Sequence, residues 1–215
     1  MGRNIERDER EAVRRKEQLI NAGLELFSAE GIETVSLNAV AAKADVGIAT
    51  MYNYFQNKLN LVVAISAKMW GDVWEKTALS FSKEAFEKMN AYNLAELYCD
   101  TIIELYEKRP DVLRFSANYK TFVNREKASE DQYRDQIETL NPISQLFHLK
   151  YEEAKKDKSI RTDLPENEVF SMIALTMLAM AERYAQGLVW AKNNAHDYKN
   201  ELVYVKEMIL NWLKP

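Results

Sequence analysis

The 215-residue sequence has one cysteine, four prolines and six glycines, and each of these small numbers argues against a class of fold. A single cysteine, Cys99, cannot build an internal disulfide framework, which fits a protein of the reducing cytoplasm. Because helix breakers are scarce and apolar and polar residues show no sustained alternation, no segment reads as a strand. We therefore predict an all-α fold.

A hydrophobic run long enough to cross a membrane is also missing. The longest uncharged apolar run, residues 169–181, is shorter than the roughly 20 residues that a spanning helix needs. The first residues carry too much charge for a signal peptide. Since 47% of the residues are hydrophobic, we expect a cytoplasmic protein of two closely packed helical domains, with no membrane partner.

Residues that could build a catalytic or metal centre are few. The two histidines, His148 and His196, lie far apart in sequence, without a cysteine or a paired-carboxylate signature beside either. No glycine-rich phosphate loop or dinucleotide fingerprint occurs. We expect no enzymatic activity, no catalytic residues, no cofactor and no metal site. His148 reads as a hydrogen-bonded core residue or an effector contact, and Glu152-Glu153 as a solvated helical face.

An excess of positive charge, which would favour nucleic acid, is absent as well. The net charge is −4, and residues 1–58 contain eight Lys or Arg against nine Asp or Glu. Arg3, Arg7, Arg10 and Arg14 would nevertheless share one face if the first helix extends back to them. This stripe could follow DNA phosphates, or it could belong to a solvated, salt-bridged helix or a frayed tail.

What the sequence does contain is a two-helix pattern in residues 36–61. Ser36 can cap a short helix whose apolar residues recur at spacings of three and four. Residues 45–47, Asp-Val-Gly, then break the periodicity with a tight turn. A second helix runs to Phe55 and places hydroxyl and amide groups on or near the side away from the core. This layout is typical of a helix-turn-helix DNA reader.

A third helix begins directly after this unit. Asn57 can cap it, and Lys58 lies in its first turn. A cation at this place is disfavoured by the helix dipole unless an anion lies nearby, so a DNA phosphate would account for Lys58. The helix is predicted over residues 58–80 and would join the N-terminal unit to the rest of the chain.

This segment resembles the DNA-binding domain of the TetR family of transcriptional regulators. The matching residues are Val40-Ala41, Ala44-Asp45-Val46, Tyr52-Asn53-Tyr54-Phe55, Lys58 and Leu61, and residues 19–31 are similar to the family's first helix. Asp45, Gly47 and Ala49 depart from the family's usual glycine, serine and glycine. All three are small or compatible with a turn, so we expect the geometry to survive.

The resemblance implies a DNA-binding domain over residues 1–57 and an effector-binding and dimerisation domain over residues 58–215. It implies a dimeric repressor that leaves double-stranded operator DNA when a small, hydrophobic effector binds. The expected DNA-contacting residues are Ser36, Asn38, Thr50, Tyr52, Asn53, Tyr54 and Lys58. The alternative is a helical ligand-binding or interaction protein whose N-terminal unit does not bind DNA, which the missing basic bias favours.

In the C-terminal part, aromatic and methionine side chains are candidates for an effector site, although each of them could equally fill the core. The selected candidates are Trp74, Tyr98, Tyr106, Phe115, Tyr119, Phe147, Tyr151 and Met177. The last two helices carry apolar stripes that could pair with a second subunit or pack on their own domain. The expected dimer contacts are Met180, Tyr184, Leu188, Leu202, Val205, Ile209 and Trp212.

Between the third helix and these last two, the sequence predicts helices over residues 94–108 and 110–122, the second opened by Pro110. A polar loop is expected at 124–131. A further helix to residue 158 is predicted either to kink or to restart at Asn141-Pro142.

Overall fold

Helices form the regular secondary structure of residues 5–80, 82–189 and 198–215, which are the residues that this computed structural model describes. The predicted all-α fold is confirmed, and the described ranges contain no strand. The helices are α1 (Ile5–Glu30), α2 (Leu37–Lys43), α3 (Ile48–Phe55), α4 (Lys58–Leu79), α5 (Lys83–Glu87), α6 (Ala91–Lys108), α7 (Pro110–Glu126), α8 (Glu130–Asp157), α9 (Glu166–Ala185) and α10 (Tyr198–Trp212).

Helices α1, α2 and α3 form an N-terminal unit, here called the head. Ser36 caps α2 by accepting a hydrogen bond from the Ala39 N–H at 3.2 Å. Asp45 adopts φ 53° in the turn after α2, a left-handed conformation that an aspartate tolerates better than most residues. The side chains that point inward, including Phe27, Val40 and Met51, are fully buried. The turn therefore folds α3 back over a small apolar core.

Helix α4 joins the head to the remaining helices, here called the body. Asn57 caps α4 through the Asn60 N–H at 2.9 Å, as the sequence predicted. The helix packs against α1 on one side and against α7 and α8 of the body on others. A Cβ at Gly23 would lie 2.6 Å from Ile65 Cδ1, so glycine at this position permits the close approach of α1 and α4. A single helix thus contacts both parts of the molecule.

Two helix boundaries in the body differ from the predicted ones. Helix α7 continues to Glu126 and ends where Lys127 adopts φ 50°, and α8 begins at Glu130. A left-handed C-terminal residue is usually glycine, so a lysine in this role gives the sequence no stop signal. Helix α8 continues without interruption through Pro142. The predicted loop at 124–131 is therefore limited to the few residues between α7 and α8.

The last two helices pack against each other and against α6, with α9 also contacting α7. Val169, Ile173 and Met177 of α9 are buried, as are Leu202 and Ile209 of α10. A second face of each helix is exposed and apolar. Its large residues are Met172, Leu175, Tyr204 and Met208. Among the described helices, none combines the length and the apolar character needed to cross a bilayer.

Candidate nucleic-acid interface and effector cavity

Helix α3 presents one buried face and one exposed face. Met51 is fully buried and Phe55 is 3% exposed, so these two residues anchor the helix on the head core. Tyr52, 47% exposed, and the exposed Asn53 lie on the opposite side. An amide and a phenol on the outer face of a short helix are able to hydrogen-bond to base edges and phosphates in a major groove. The structure thus places two of the four predicted α3 residues, Tyr52 and Asn53, on the surface.

The other α3 residues in the predicted DNA-contacting set are less exposed. Thr50 is half-buried. Tyr54 is half-buried against the core, with its ring edge-on to Phe55 at a centroid distance of 6.4 Å. The Tyr54 ring therefore contributes to the packing of the head core. Ile48 and Ala49 are exposed in the first turn of α3, although the sequence analysis did not select them, because apolar residues give no signal for a polar surface.

The remaining predicted contacts lie at the ends of neighbouring helices. Asn38 is exposed in the first turn of α2. The Ser36 hydroxyl oxygen accepts the capping hydrogen bond, and its hydroxyl proton can be donated to a phosphate oxygen. Contact of Ser36 and Asn38 with DNA stays a prediction.

Lys58 is engaged within the protein. Its Nζ donates to the Glu33 carbonyl oxygen at 3.1 Å and lies 5.7 Å and 5.9 Å from the ring centroids of Phe27 and Phe122. Desolvation by burial lowers the pKa of Lys58, against the opposing effect of Glu33 and Glu126. Its predicted phosphate contact, which stays a prediction, requires the ammonium group to leave this position.

Helix α1 extends far enough toward the N-terminus to carry most of the predicted arginine stripe. Arg7, Arg10 and Arg14 are all exposed on α1, whereas Arg3 lies outside the described residues. Lys16, also on α1, lies 6.0 Å from the Phe55 ring centroid and so marks where α1 passes the end of α3. Contact of the stripe with DNA phosphates stays a prediction.

The body contains an apolar cavity of about 450 Å³ between α4, α6, α8 and α9. Its volume falls within the usual range of small-molecule sites. The lining residues are Gly71, Trp74, Glu75, Thr77, Ala78, Leu94, Ala95, Leu97, Tyr98, Leu146, Phe147, Phe170, Ile173 and Ala174. The Tyr98 hydroxyl donates to the Ala174 carbonyl oxygen at 2.9 Å, which removes one of the few polar groups in the wall.

An aromatic stack forms one wall of this cavity. The Trp74 ring lies between those of Trp70 and Tyr98, at centroid distances of 6.3 Å and 5.7 Å and with interplanar angles of 17°. The Trp74 indole N–H is buried and has no hydrogen-bond partner among the described residues. Burial also raises the pKa of the Tyr98 hydroxyl and raises that of the neighbouring Cys99 thiol to about 12. The Tyr98 hydroxyl and the Cys99 thiol are therefore uncharged at neutral pH.

Three of the eight predicted effector residues, Trp74, Tyr98 and Phe147, line this cavity. The other five pack elsewhere in the body, which is the alternative that the sequence left open. Phe115, Tyr119 and Met177 belong to the buried core, Tyr151 is buried with its hydroxyl donating to the Leu164 carbonyl, and Tyr106 packs edge-on against Tyr184. These five residues do not line this cavity, and helical spacing alone does not distinguish a core face from a cavity wall.

Part of the predicted dimer surface lies inside the subunit. Leu202 is 0% exposed and Ile209 is 7% exposed, so neither can meet a second copy in this fold, and the prediction is wrong for them. Trp212 is half-buried, with the Arg161 guanidinium 4.9 Å from its ring centroid. The regular spacing on α10 therefore marked the face that packs on its own domain.

The other four residues predicted at the dimer surface differ in their exposure. Met180, Val205 and Tyr184 are half-buried against the core, and the Tyr184 hydroxyl donates to the Glu201 carboxylate. Leu188 is 54% exposed. The exposed apolar residues that the sequence analysis did not select are Met172, Leu175, Tyr204 and Met208. Apolar residues occur on both faces of these helices, so spacing alone could not identify the outer one.

Comparison with known proteins places the sequence likeness in the head and the start of α4. Residues 19–65 match the family described as "Bacterial regulatory proteins, tetR family". The HTH-type transcriptional repressor KstR of Rhodococcus jostii (strain RHA1) is 41% identical over 54 residues, which cover 25% of this chain and 26% of that protein. KstR of Mycobacterium tuberculosis is 32% identical over 78 residues, which cover 35% and 36%. The chain thus aligns with only about a quarter to a third of the length of these repressors.

Likeness to solved structures extends over nearly the whole chain. The fatty acid degradation regulator FadR from Bacillus halodurans has a TM-score of 0.68 at 15% identity, covering 91% of this chain and 94% of that one. FadR from Bacillus subtilis, solved in complex with stearoyl-CoA, has a TM-score of 0.64 at 15% identity, covering 91% and 98%. At this identity the likeness concerns the fold. Together with the family match over residues 19–65, it confirms the predicted resemblance, and the relatives named above are described as repressors or regulators.

Proposed function

We propose that this chain, which carries the DNA-binding domain and the fold of the tetR family of bacterial regulatory proteins, is a homodimeric transcriptional repressor released from its operator by an apolar effector. The observation that carries the proposal is the exposed face of α3, with Tyr52 and Asn53, inside the segment that matches the family. The KstR relatives are named as repressors, which supports repression rather than activation of transcription.

DNA recognition is proposed to use α3 as the helix in the major groove. Asn53 is suited to an adenine edge, to which an asparagine can make two hydrogen bonds, and Tyr52 to a base or phosphate beside it. Ser36 and Asn38 are placed at the start of α2 to meet the sugar–phosphate backbone, and Arg7, Arg10 and Arg14 could extend this contact along α1. The negative total charge does not prevent binding, since the distribution of cations on the contact face determines phosphate neutralisation.

Dimerisation is proposed to cover the exposed apolar face of α9 and α10. Met172 and Leu175 are 49% and 60% exposed on α9, and Tyr204 and Met208 are 60% and 69% exposed on α10. Large apolar side chains clustered on neighbouring exposed helices are typical of an interface. A two-fold dimer built from these helices would present two heads, so that each need only bind a half-site.

The effector is proposed to occupy the cavity beside α4. Its lining is almost wholly apolar, so binding would be driven by removal of apolar ligand surface from water. The B. subtilis FadR structure contains stearoyl-CoA, which makes a long-chain acyl compound the first ligand class to test on this chain. The mixture of aromatic and aliphatic lining residues also suits other elongated apolar molecules.

Effector binding is proposed to reach the head through α4. Gly71, Trp74, Thr77 and Ala78 of α4 line the cavity, and the same helix begins at Lys58 against the head. A ligand that fits better when α4 is displaced from α8 and α9 would shift the orientation of the head. It can do so only by as much as its affinity differs between the two conformations.

The test of DNA binding is a gel-shift titration with the DNA upstream of the chain's own gene, together with selection of sites from random duplexes. We expect a symmetric site, and we expect Asn53→Ala to weaken binding by about 5- to 150-fold, the equivalent of a lost bidentate base contact of roughly 1–3 kcal/mol. Asn124→Ala, which changes another exposed asparagine, on α7, is the control and should bind as wild type.

The outcome against the proposal is a wild-type protein that selects no sequence, or one that binds its site equally well with Asn53→Ala and Tyr52→Ala. The first result would favour a ligand-binding or interaction protein, with the head serving another partner. The second would leave a DNA-binding protein but would remove α3 from its reading surface.

A further inference from the structure

Three side chains with metal-binding atoms converge where α8 meets the start of α9. They are His148 and Glu152 of α8 and Glu166, the first residue of α9. One ligand atom from each lies within 4.8 Å of the other two, and His148 Nδ1 is 2.8 Å from Glu166 Oε2. We propose that these residues form a binding site for a divalent transition-metal ion of the zinc type. The inference does not depend on the proposed function.

The geometry of the three groups is close to what such an ion requires. His148 and Glu152 are four residues apart and therefore point from the same face of α8. With zinc–ligand bonds of about 2.0–2.2 Å, a tetrahedral site separates its ligand atoms by roughly 3.3–3.6 Å. His148 Nδ1 and Glu166 Oε2 are 2.8 Å apart and no pair of the ligand atoms is separated by more than 4.8 Å, so rotation of side chains alone could close the site.

The two helices are held in place by contacts other than these three side chains. Tyr151, one residue before Glu152, is buried and donates its hydroxyl proton to the Leu164 carbonyl, just ahead of α9. The rings of Phe147 and Phe170, at a centroid distance of 5.0 Å, also join α8 to α9. The backbone positions of the ligands are thus fixed by packing, which reduces the ordering cost of binding an ion.

The donor set favours a transition metal over magnesium or calcium. An imidazole nitrogen with two carboxylate oxygens suits zinc, whereas Mg²⁺ and Ca²⁺ prefer oxygen ligands alone. Three protein ligands leave a fourth position for water. Glu152 is paired with Lys155 at 2.5 Å, so the ion must displace that lysine, and the exposed positions of His148 and Glu152 predict moderate rather than very tight binding.

The site lies directly behind one wall of the apolar cavity. Phe147 precedes His148 in sequence and Phe170 is one helical turn beyond Glu166, and both rings line the cavity. An ion that joins His148 to Glu166 would therefore fasten α8 to α9 beside the cavity. The sequence did not predict this site, because the spacing of His148 and Glu152 is common on solvated helices and the third ligand comes from another helix.

The experiment is calorimetric titration of the full-length, chelator-treated protein with ZnCl₂, and with MgCl₂ in parallel. We expect one Zn²⁺ per chain and much weaker Mg²⁺ binding. His148→Ala, Glu152→Gln and Glu166→Gln should each lower zinc affinity at least about tenfold, since even loss of an outer-shell partner costs roughly 10–100-fold. Zinc should also raise the melting temperature of the wild type, but not of His148→Ala.

Two control variants separate this site from other zinc binding. Glu168→Gln removes an exposed carboxylate two residues from Glu166 and should leave zinc affinity unchanged. His196→Ala removes the other histidine and should also have no effect. The proposal is overturned if zinc binding follows His196, if His148→Ala and Glu166→Gln bind as wild type, or if Mg²⁺ binds as tightly as Zn²⁺. Because His148 is 58% exposed, its substitution should leave the fold intact, which a melting curve without metal verifies.

Discussion

The head and the body use their apolar residues in different ways. In the head, apolar side chains such as Phe27, Val40 and Met51 fill one small core, and the outer face of α3 is left for polar contacts. In the body, similar side chains fill a core, line a cavity and cover an exposed face on α9 and α10. Helical spacing shows that a face is apolar, but in the body it does not show which of these three environments the face meets.

The largest expected effect concerns the two faces of α10. Met208→Glu places a charge on the exposed face, so that a dimer formed there would bury an unpaired carboxylate. We expect analytical ultracentrifugation to show a monomer, and the loss of one linked head to lower operator affinity by about 10²- to 10⁴-fold. Because Met208 is 69% exposed, the free energy of unfolding of the monomer should change little.

A variant of the neighbouring residue gives the control. Ile209 lies next to Met208 but is buried, so Ile209→Val should cost about 0.5–1.5 kcal/mol of unfolding free energy and leave the dimer intact. If Ile209→Val dissociates the dimer while Met208→Glu does not, the stripe selected from the sequence is the interface and the exposed face serves another purpose.

A smaller effect is expected from a matched pair of phenylalanines in the body. Phe147 lines the cavity and Phe115 is in the core, although the sequence selected both as effector residues. Phe147→Leu should lower the affinity for a cavity ligand several-fold, because the smaller side chain offers the ligand less apolar surface. Full burial of a phenylalanine side chain contributes about 1.5–3 kcal/mol, and the substitution removes part of this free energy. Phe115→Leu should lower only stability. Titration with a fluorescent acyl probe, alongside urea unfolding, measures both quantities.

Two results for these variants would argue against the cavity as the effector site. If Phe115→Leu and Phe147→Leu weaken the probe equally, with equal losses of stability, the probe reports the integrity of the fold. If neither changes binding, the probe binds at another place.

The sequence predicted the head more completely than the body, for physical reasons. Ser36 and Asn57 cap their helices through local hydrogen bonds, so the residues that set these boundaries are close in sequence. The cavity depends on side chains from α4, α6, α8 and α9, whose positions follow from packing over the whole chain. Trp74 and Phe147 could be suggested as candidates, but nothing local separates them from Phe115 or Met177, which are buried in the core.

Lys58 shows the same limit at a single residue. The sequence placed it in the first turn of α4 and explained it by a phosphate, but the structure shows its ammonium group at the Glu33 carbonyl between two aromatic rings. The nearby ion pair of Arg125 and Glu33, at 3.0 Å, joins α7 to the same loop. Lys58 thus has an internal partner in this conformation, and a DNA-bound conformation could exchange it for a phosphate.

The smallest predicted effect comes from Lys58→Met, which keeps an apolar stem between Phe27 and Phe122 and removes the charge. If Lys58 moves to a phosphate on DNA, the slope of log affinity against log salt should fall by about one, with a modest loss of affinity on all sequences. If Lys58 stays at Glu33, neither the slope nor the affinity for DNA should change. Burial lowers the pKa of Lys58, so removing the charge relieves a desolvation cost that opposes the loss of the hydrogen bond to Glu33, and the unfolding free energy should change little. Gel shifts at several salt concentrations therefore decide whether Lys58 contacts DNA or only joins the head to the body. The matched control is Lys127→Met, which changes an exposed lysine at the end of α7.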